Sequence, residues 1–375
     1  MPHATDLHRH LLTLDAHLDT PIHFARPGWH FDERHDLADD VAQLDLPRME
    51  GNLSGGFFVI YTAQGPLTPE GYAGALAQAR RRSREIDETL ARFSHRIGPA
   101  TTADDARLLH AQGRMVAFRS IENCYPIGED LGLLAEFHAQ GVRMAGPVHV
   151  RTNQLADSST DAPRWNGLSP LGEGWVAEMN RLGMIIDASH ASDAAFDRML
   201  ELSAAPLVLS HSGTRGFYDH PRNLDDGRIR TLVAGGGVIG FTTIYLSAMH
   251  MVPERAALFR TMGHIGDLSM AEQVDLGRRW NALDATAPMW KADFEDYMAA
   301  LLHTIGVAGV DHVCFGADWD GGGGVEGFRD VTALPRVTER LLEAGFSAQD
   351  LEKMWSGNLL RVLTQAGDSA AAGTG

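Results

Sequence analysis

Histidine and carboxylate side chains recur directly after short apolar stretches of this chain. They are His17, Asp19, Glu122, His149, His190, His211 and Asp318. Imidazole and carboxylate groups together are the ligands that zinc and similar divalent ions prefer in proteins. A pair of such ions with an intervening hydroxide hydrolyses bonds, because the metals lower the pKa of water and polarise the bond under attack. The residue types therefore indicate a metal-dependent hydrolase.

The number of these residues favours two metal ions over one. A mononuclear site needs only three or four protein ligands. Glu122 is the candidate bridging carboxylate, since its two oxygens can bind two ions. Asp318 is then the candidate general base that orients water and passes its proton to the leaving group. His149 opens a polar loop, where an imidazole could donate a hydrogen bond to the oxyanion of a tetrahedral intermediate.

Each candidate also has a structural interpretation. His17 and Asp19, two residues apart on a strand, could form a hydrogen-bonded pair, and Glu122 could form a surface salt bridge. Asp187 or Ser189 could cap the helix that is expected near residue 192. Taken singly, these interpretations are about as good as the metal-binding one. Their recurrence at matching strand ends favours the metal.

Arg222 allows two interpretations that the sequence leaves open. It could form a salt bridge with Asp225 or Asp226, or its guanidinium fork could hold a substrate carboxylate. A serine nucleophile at Ser189 or Ser210 is disfavoured, because neither lies in a G-x-S-x-G elbow.

The surrounding pattern predicts the fold that positions these groups. Short apolar, β-branched runs alternate with helical patterns and give about eight strands, most of them followed by a helix. Eight such units favour a closed (β/α)8 TIM-type barrel over an open doubly wound sheet, and no glycine-rich phosphate fingerprint follows the first strand. The carboxyl ends of barrel strands meet at one face, which would gather the candidate residues there.

The domain organisation is predicted to be simple. We expect a single barrel domain over residues 1–366, with a long insertion at about 245–290 and a flexible tail over 367–375. A long insertion inside a compact domain commonly serves as a lid or an interface element.

The composition narrows the partners and the location. With 32 Lys+Arg against 49 Asp+Glu, the formal net charge is −17, which argues against nucleic acid or an anionic membrane as partner. The two cysteines, Cys124 and Cys314, suit a reducing compartment. The start of the chain does not resemble a signal peptide, and no apolar run is long enough for a membrane helix. We therefore expect a cytoplasmic protein.

The ordered set of motifs resembles the membrane dipeptidase (renal dipeptidase) family, whose members are binuclear zinc peptidases with an amidohydrolase-like barrel. The resemblance runs from about Leu14 to Leu363. The matching segments are His17-x-Asp19, Glu122, His149, the Asp-Ala-Ser-His segment ending at His190, Ser-His-Ser around His211, Arg222-Asn223, the Gly-Ala-Asp-Trp-Asp-Gly segment containing Asp318 and Asp320, and Gly-Asn-Leu-Leu-Arg-Val at 357–362.

The resemblance implies a role for each matched residue. His17 and Asp19 would bind one zinc ion, and His190 and His211 the other, with Glu122 bridging them. In the substrate site, His149 would contact the substrate and its oxyanion, Arg222 and Tyr245 would bind the C-terminal carboxylate, and Asp318 would be the acid/base. The cofactors would be two Zn²⁺ per chain, with Mn²⁺ or Co²⁺ as possible substitutes.

The resemblance also implies a substrate class and an assembly. The substrate would be a small dipeptide, including L-Xaa-D-Xaa, and the protein would be a homodimer. Two alternatives stay open: a binuclear hydrolase of another small amide or lactone, and a catalytically silent relative that binds a peptide. One departure from the resemblance is that Asn-Cys-Tyr-Pro follows Glu122 where the vertebrate enzymes have glycines.

Overall fold

A computed structural model describes residues 4–373 of the chain. Within that range there are nine β-strands, which we number in chain order. They are β1 (Leu14–Leu18), β2 (Gly55–Tyr61), β3 (Ile97–Pro99), β4 (Met115–Glu122), β5 (Val142–Ala145), β6 (Ile185–Ile186), β7 (Val208–Ser212), β8 (Val238–Phe241) and β9 (Val313–Phe315).

The α-helices follow most of these strands and cover the outside of the sheet. They are α1 (Ala4–His10), α2 (Leu46–Met49), α3 (Pro69–Arg92), α4 (Ala103–Ala111), α5 (Gly132–Ala139), α6 (Pro170–Leu182), α7 (Asp193–Leu202), α8 (Asp226–Ala234), α9 (Pro253–Met262), α10 (Met270–Ala282), α11 (Phe294–Ala308), α12 (Leu334–Glu343), α13 (Ala348–Glu352) and α14 (Asn358–Gly373). A π-helical turn, Lys353–Gly357, joins the last two.

Eight of the strands form one parallel barrel, which confirms the predicted fold class. Around the barrel they run in the order β1, β2, β4, β5, β6, β7, β8 and β9, and β9 pairs with β1 again through Asp15 and Phe315. The gap between β6 and β7 is spanned by one parallel bridge, Asp187 with Val208. The short β3 pairs with the beginning of β4, outside this order.

Most strand residues are buried, as expected for a parallel sheet covered by helices on one face and closed on the other. All five residues of β1 and all eight of β4 are buried. Glycines let the strands approach closely beneath the barrel mouth. A Cβ at Gly240 in β8 or at Gly316 after β9 would collide with the carbonyl oxygen of Ser210 in β7.

The insertion at 245–290 is an ordered helical segment. It contains α9 and α10, and Leu258, Ile265 and Leu276 form a small apolar cluster of their own. The side chain of Gln273 on α10 accepts a hydrogen bond from Arg26 at 3.0 Å. Since Arg26 lies in the loop after β1, the insertion packs over one part of the barrel mouth.

The stretch predicted as a tail, residues 367–375, begins as part of helix α14. Helix α14 continues through Gly373, and residues 374–375 lie outside the described part of the chain. The alanines at 370–372 favour helix because alanine loses little entropy on helix formation. The hydroxyl of Ser369 also donates to the carbonyl oxygen of Ala204 at 3.3 Å. Between residues 4 and 373, no helix is both long and apolar enough to cross a membrane.

Candidate metal centre and active site

The predicted ligands meet at the carboxyl ends of the barrel strands. His17 lies in β1, Glu122 is the last residue of β4, and His211 lies in β7. His149, His190 and Asp318 follow β5, β6 and β9 within a few residues. Strands far apart in the sequence therefore bring these side chains into one cluster.

Glu122 lies at the centre of the cluster, and its two oxygens face different histidines. Oε1 lies 2.9 Å from Nε2 of His190 and 3.4 Å from Nε2 of His211. Oε2 instead lies 3.8 Å from Nε2 of His17. One oxygen of this carboxylate faces His190 and His211, and the other faces His17. The carboxylate therefore has the arrangement needed to bridge two cations.

Two further carboxylates, those of Asp19 and Asp318, lie near His17. Its Nε2 atom lies 3.4 Å from Oδ2 of Asp19 and 3.8 Å from Oδ1 of Asp318. Within residues 4–373, three groups of side chains have ligand atoms close enough together to hold a metal ion. They are His17 with Glu122 and His211, Glu122 with His149 and His190, and His17 with Asp19 and Asp318.

Buried polar atoms without hydrogen-bond partners support a cation in this cluster. Among the described residues, Nε2 of His17 and Oδ1 of Asp19 are buried and have no such partner. Buried polar groups are ordinarily hydrogen-bonded, so each orphan needs an explanation. Nitrogen and carboxylate donors fit zinc, and also manganese or cobalt.

The electrostatics of the cluster point the same way. Burial raises the pKa of Glu122 well above its usual value and that of Asp318 to about 7. Burial alone would lower the pKa of His17, but the charges of Glu122 and Asp19 outweigh it and raise that pKa to about 10. Without a cation, His17 holds a proton that balances the surrounding carboxylates.

The other histidines of the cluster are His149, His190 and His211, and they are neutral at physiological pH. Burial, together with nearby Arg222, lowers the pKa values of His190 and His211 well below the usual range. The same causes lower the pKa of His149 to about 3, although 23% of its side chain is exposed. Neutral imidazoles are the form that binds metals.

Several residues of the cluster hold strained backbone conformations. His190, Asp318 and Tyr245 have positive φ values of 67°, 66° and 51°. Non-glycine residues avoid this region at a cost of about 1–3 kcal/mol each, and such residues concentrate at functional sites. All three residues lie in loops that follow strands of the barrel.

Arg222 lies beside the cluster and is buried. Its Nη2 donates to the carbonyl oxygen of His211 at 2.7 Å. Its Nε has no hydrogen-bond partner in the described part of the chain. The salt bridges considered from the sequence are absent at this position, because Asp225 pairs with Arg228 at 2.6 Å and Asp226 with His303 at 3.1 Å. The charge of Arg222 instead interacts with Tyr245, Asp318 and Glu122.

Tyr245 and His149 lie at the rim. The Tyr245 ring stacks on His220 with 4.0 Å between centroids, and burial raises its pKa while the nearby Arg222 charge opposes that rise. His149 packs edge-on against Tyr61 at 5.0 Å, and its Nε2 lies 3.8 Å from Oε1 of Glu122. Tyr245 thus lies near Arg222, and His149 lies near Glu122.

The interpretation of Asp187 or Ser189 as a helix cap does not hold. The N-cap of α7 is Ser192, whose side chain accepts from the N–H of Ala195, and neither Asp187 nor Ser189 has that role. Cys124 is buried and its pKa is raised to about 12, so it is an unreactive thiol in the core.

Sequence reasoning missed Asp15. Its Oδ1 accepts from the N–H of His17 at 2.8 Å and its Oδ2 from the N–H of Ala317 at 3.0 Å. These hydrogen bonds link β1 to the loop after β9, next to His17 and Asp318. The available signal was an acidic residue inside an apolar strand, two positions before a histidine.

A parallel eight-stranded barrel with buried imidazoles and carboxylates at its carboxyl face defines the class of amidohydrolase-like metal-dependent hydrolases. The sequence model of the membrane dipeptidase family (Peptidase family M19) matches residues 1–373. The chain belongs to this family, and it is a hydrolase that acts on peptide bonds.

Relatives support this assignment along the whole chain. Dipeptidase tcpJ from Claviceps purpurea is 29% identical over 372 residues, which cover 96% of this chain and 78% of that protein. The probable dipeptidase PvdM from Pseudomonas aeruginosa has a crystal structure with a TM-score of 0.83 and 30% identity, and 98% of each chain is covered. A metallopeptidase from Rhodobacter sphaeroides, solved with a phosphinate mimic of the dipeptide L-Ala-D-Ala, has a TM-score of 0.75 and 25% identity, covering 95% of this chain and 99% of that one.

Proposed function

We propose that this dipeptidase uses two zinc ions per chain, held by the residues that the sequence singled out. His17 and Asp19 bind one ion, His190 and His211 bind the other, and Glu122 bridges them. The observation that carries the proposal is the split of the Glu122 carboxylate, with Oε1 facing His190 and Oε2 facing His17. Mn²⁺ and Co²⁺ have compatible ligand preferences and are expected to substitute.

Bound metal ions of this kind polarise a carbonyl and lower the pKa of water. Asp318 takes a proton from the attacking water and delivers it to the departing amine. Burial raises the pKa of Asp318 to about 7 in the metal-free cluster, and an acid/base group works best when its pKa lies near the working pH. The strained backbone of Asp318 fixes the position of its carboxylate at the mouth.

The other site residues bind the substrate. Arg222 binds the C-terminal carboxylate of the dipeptide, with Tyr245 as a second group at that end. The unpartnered Nε of Arg222 supports this role, because a buried guanidinium retains an unused donor there. His149 is neutral and donates an N–H to the oxyanion that develops on the carbonyl.

The substrate class follows from this arrangement. A carboxylate-binding arginine beside the metal ligands favours peptides with one residue beyond the bond that is cleaved. The ligand in the Rhodobacter sphaeroides structure, a mimic of L-Ala-D-Ala, supports acceptance of a D-residue at that position. We therefore assign L-Xaa-L-Xaa and L-Xaa-D-Xaa dipeptides as substrates.

We also propose that the chain forms a homodimer. Three large apolar side chains exposed on the insertion, Met249, Phe259 and Met270, support this assembly. Light scattering of the purified protein tests this assembly. A cytoplasmic location is supported by two buried free cysteines, which suit a reducing compartment.

The substrate proposal is tested with a panel of dipeptides, each also prepared as the tripeptide and as the C-terminally amidated dipeptide. Release of free amino acids from the L,L and L,D dipeptides, with little release from the matched tripeptides and amides, is the expected result. Equal turnover of the amides would contradict the role of the carboxylate. Turnover should stop after chelation and return with Zn²⁺, Mn²⁺ or Co²⁺.

A further inference from the structure

The hydroxyl of Ser210 connects histidines from the two proposed metal pairs. Its Oγ lies 2.8 Å from Nδ1 of His211 and 3.3 Å from Nδ1 of His17. The same oxygen lies 2.5 Å from Oδ2 of Asp187. All four side chains are buried, and they come from β1, β7 and the loop after β6.

The direction of each hydrogen bond follows from the donors available. Oδ1 of Asp187 already accepts from the backbone N–H groups of Ser189 and Ser210, both at 2.9 Å. A carboxylate only accepts, so the single hydroxyl proton of Ser210 goes to Oδ2 of Asp187. The lone pairs of that hydroxyl then accept from Nδ1–H of His211 and of His17.

This network determines which nitrogen of each imidazole is free. When Nδ1 carries the proton, Nε2 keeps its lone pair and can bind a metal. Nε2 is the atom of both histidines that faces the Glu122 carboxylate. Partners of this kind orient metal ligands and fix their tautomer, and losing one typically weakens metal affinity about 10–100-fold.

We propose that Asp187 and Ser210 are positioning residues that set the metal-binding tautomer of two histidines at once, one from each metal pair. The inference rests on the proposed function, in which His17 and His211 bind different ions. A single hydroxyl thereby couples the two metal sites, so that its loss weakens both.

A merely structural role would not need the contacts with the imidazoles. Asp187 already ties the loop after β6 to β7 through the backbone N–H of Ser210. Ser212 provides a matched control, because it flanks His211 on the other side, is also buried, and donates to the carbonyl oxygen of Arg222 at 3.3 Å rather than to a histidine.

Two substitutions separate the effects. Ser210→Ala removes the acceptor of both imidazoles and should weaken binding of both zinc ions about 10–100-fold, whereas Ser212→Ala should keep the wild-type affinity. Asp187→Asn reverses the direction of the hydrogen bonds around Ser210. The two backbone N–H groups hold the amide oxygen in place of Oδ1, so the amide N–H₂ faces Ser210, whose hydroxyl must then donate to an Nδ1. One imidazole is thereby driven to the Nε2–H tautomer, which cannot bind metal through that atom.

The test measures the affinity for each zinc ion by competition with a chelator, with thermal melts to verify folding. Nitrogen-15 spectra of the His211 imidazole in the metal-free protein report its tautomer, which a structural role alone would not change. We expect Nδ1–H in the wild type and in Ser212→Ala, and Nε2–H in a fraction of Asp187→Asn molecules.

The outcomes separate this inference from the proposed function. Wild-type protein that binds no zinc would overturn the proposed function itself. Wild-type protein that binds two ions, with Ser210→Ala and Asp187→Asn binding them equally tightly and keeping Nδ1–H, would overturn the positioning role alone. If Ser210→Ala fails to fold, the tautomer of Asp187→Asn decides the matter.

Discussion

Oδ1 of Asp318 lies 3.8 Å from Nε2 of His17, so the proposed acid/base group and a proposed metal ligand share one side of the cluster. The two residues are three hundred positions apart, and adjacent strands β1 and β9 bring them together. In the proposed mechanism, proton transfer and metal binding would therefore take place next to each other, and substitutions can separate the two roles.

Asp318→Asn should abolish proton transfer while the metals stay bound. The amide keeps the shape of the carboxylate but cannot take up and release a proton, and a general acid/base contributes about 10²–10⁴-fold to the rate. We expect kcat on a dipeptide to fall by that factor, with zinc content unchanged in the same sample. Normal turnover would show that another group moves the proton.

Arg222→Ala should remove recognition of the substrate carboxylate. Truncating one partner of a buried charge pair costs about 2–5 kcal/mol, which corresponds to roughly 30–5,000-fold in kcat/KM. The matched control is the C-terminally amidated dipeptide, which should be a poor substrate of the wild type and lose little further on substitution. An equal loss on both substrates would assign Arg222 a structural role.

Zinc binding should release protons at pH 8. His17 holds its proton up to about pH 10 in the metal-free protein, while His190 and His211 are already neutral. A metal ligand must be deprotonated, so the affinity should rise as the pH rises towards 10, by about tenfold per pH unit for each proton released. Calorimetry in buffers of different ionisation enthalpy counts these protons. Heats that do not depend on the buffer would contradict the prediction.

Gly321→Ala should damage the site without unfolding the protein. A Cβ at Gly321 would collide with Oδ2 of Asp19 and Oδ1 of Asp318, and must displace both. We expect zinc content and activity to fall together. Gly306→Ala in α11 is the control, because its Cβ would meet nothing within 4 Å and should leave both quantities intact. Full activity of Gly321→Ala would mean that neither carboxylate needs its present position.

The features that could be predicted from the sequence are those that follow from the regular alternation of strands and helices. Parallel strands alternating with helices bring their carboxyl ends to one face, so histidines and carboxylates after apolar runs could be assigned to one cluster. His17, Glu122 and His211 come together for that reason. The sequence could not show whether Arg222 pairs with Asp225 or Asp226, because that depends on which partners these two acids already have. The role of Arg222 towards a substrate stays a prediction.

Other features could not be predicted because they depend on local hydrogen bonds. A serine such as Ser210 inside a strand has the same sequence signature whether it is structural or contacts a ligand. The tail beyond residue 367 was expected to be flexible, since its small residues carry little apolar surface. Their helix propensity and the contact of Ser369 with Ala204 extend α14 instead.

The most direct test of the account is a titration of metal-free protein with zinc, with bound metal and dipeptide hydrolysis measured in the same samples. We expect two ions bound per chain and activity that reaches its plateau at the second equivalent. We also expect Glu122→Gln, which replaces the proposed bridging carboxylate by a neutral amide, to weaken the binding of both ions. A plateau at one equivalent, or a Glu122→Gln variant that binds both ions as tightly as the wild type, would contradict a carboxylate-bridged pair of metals.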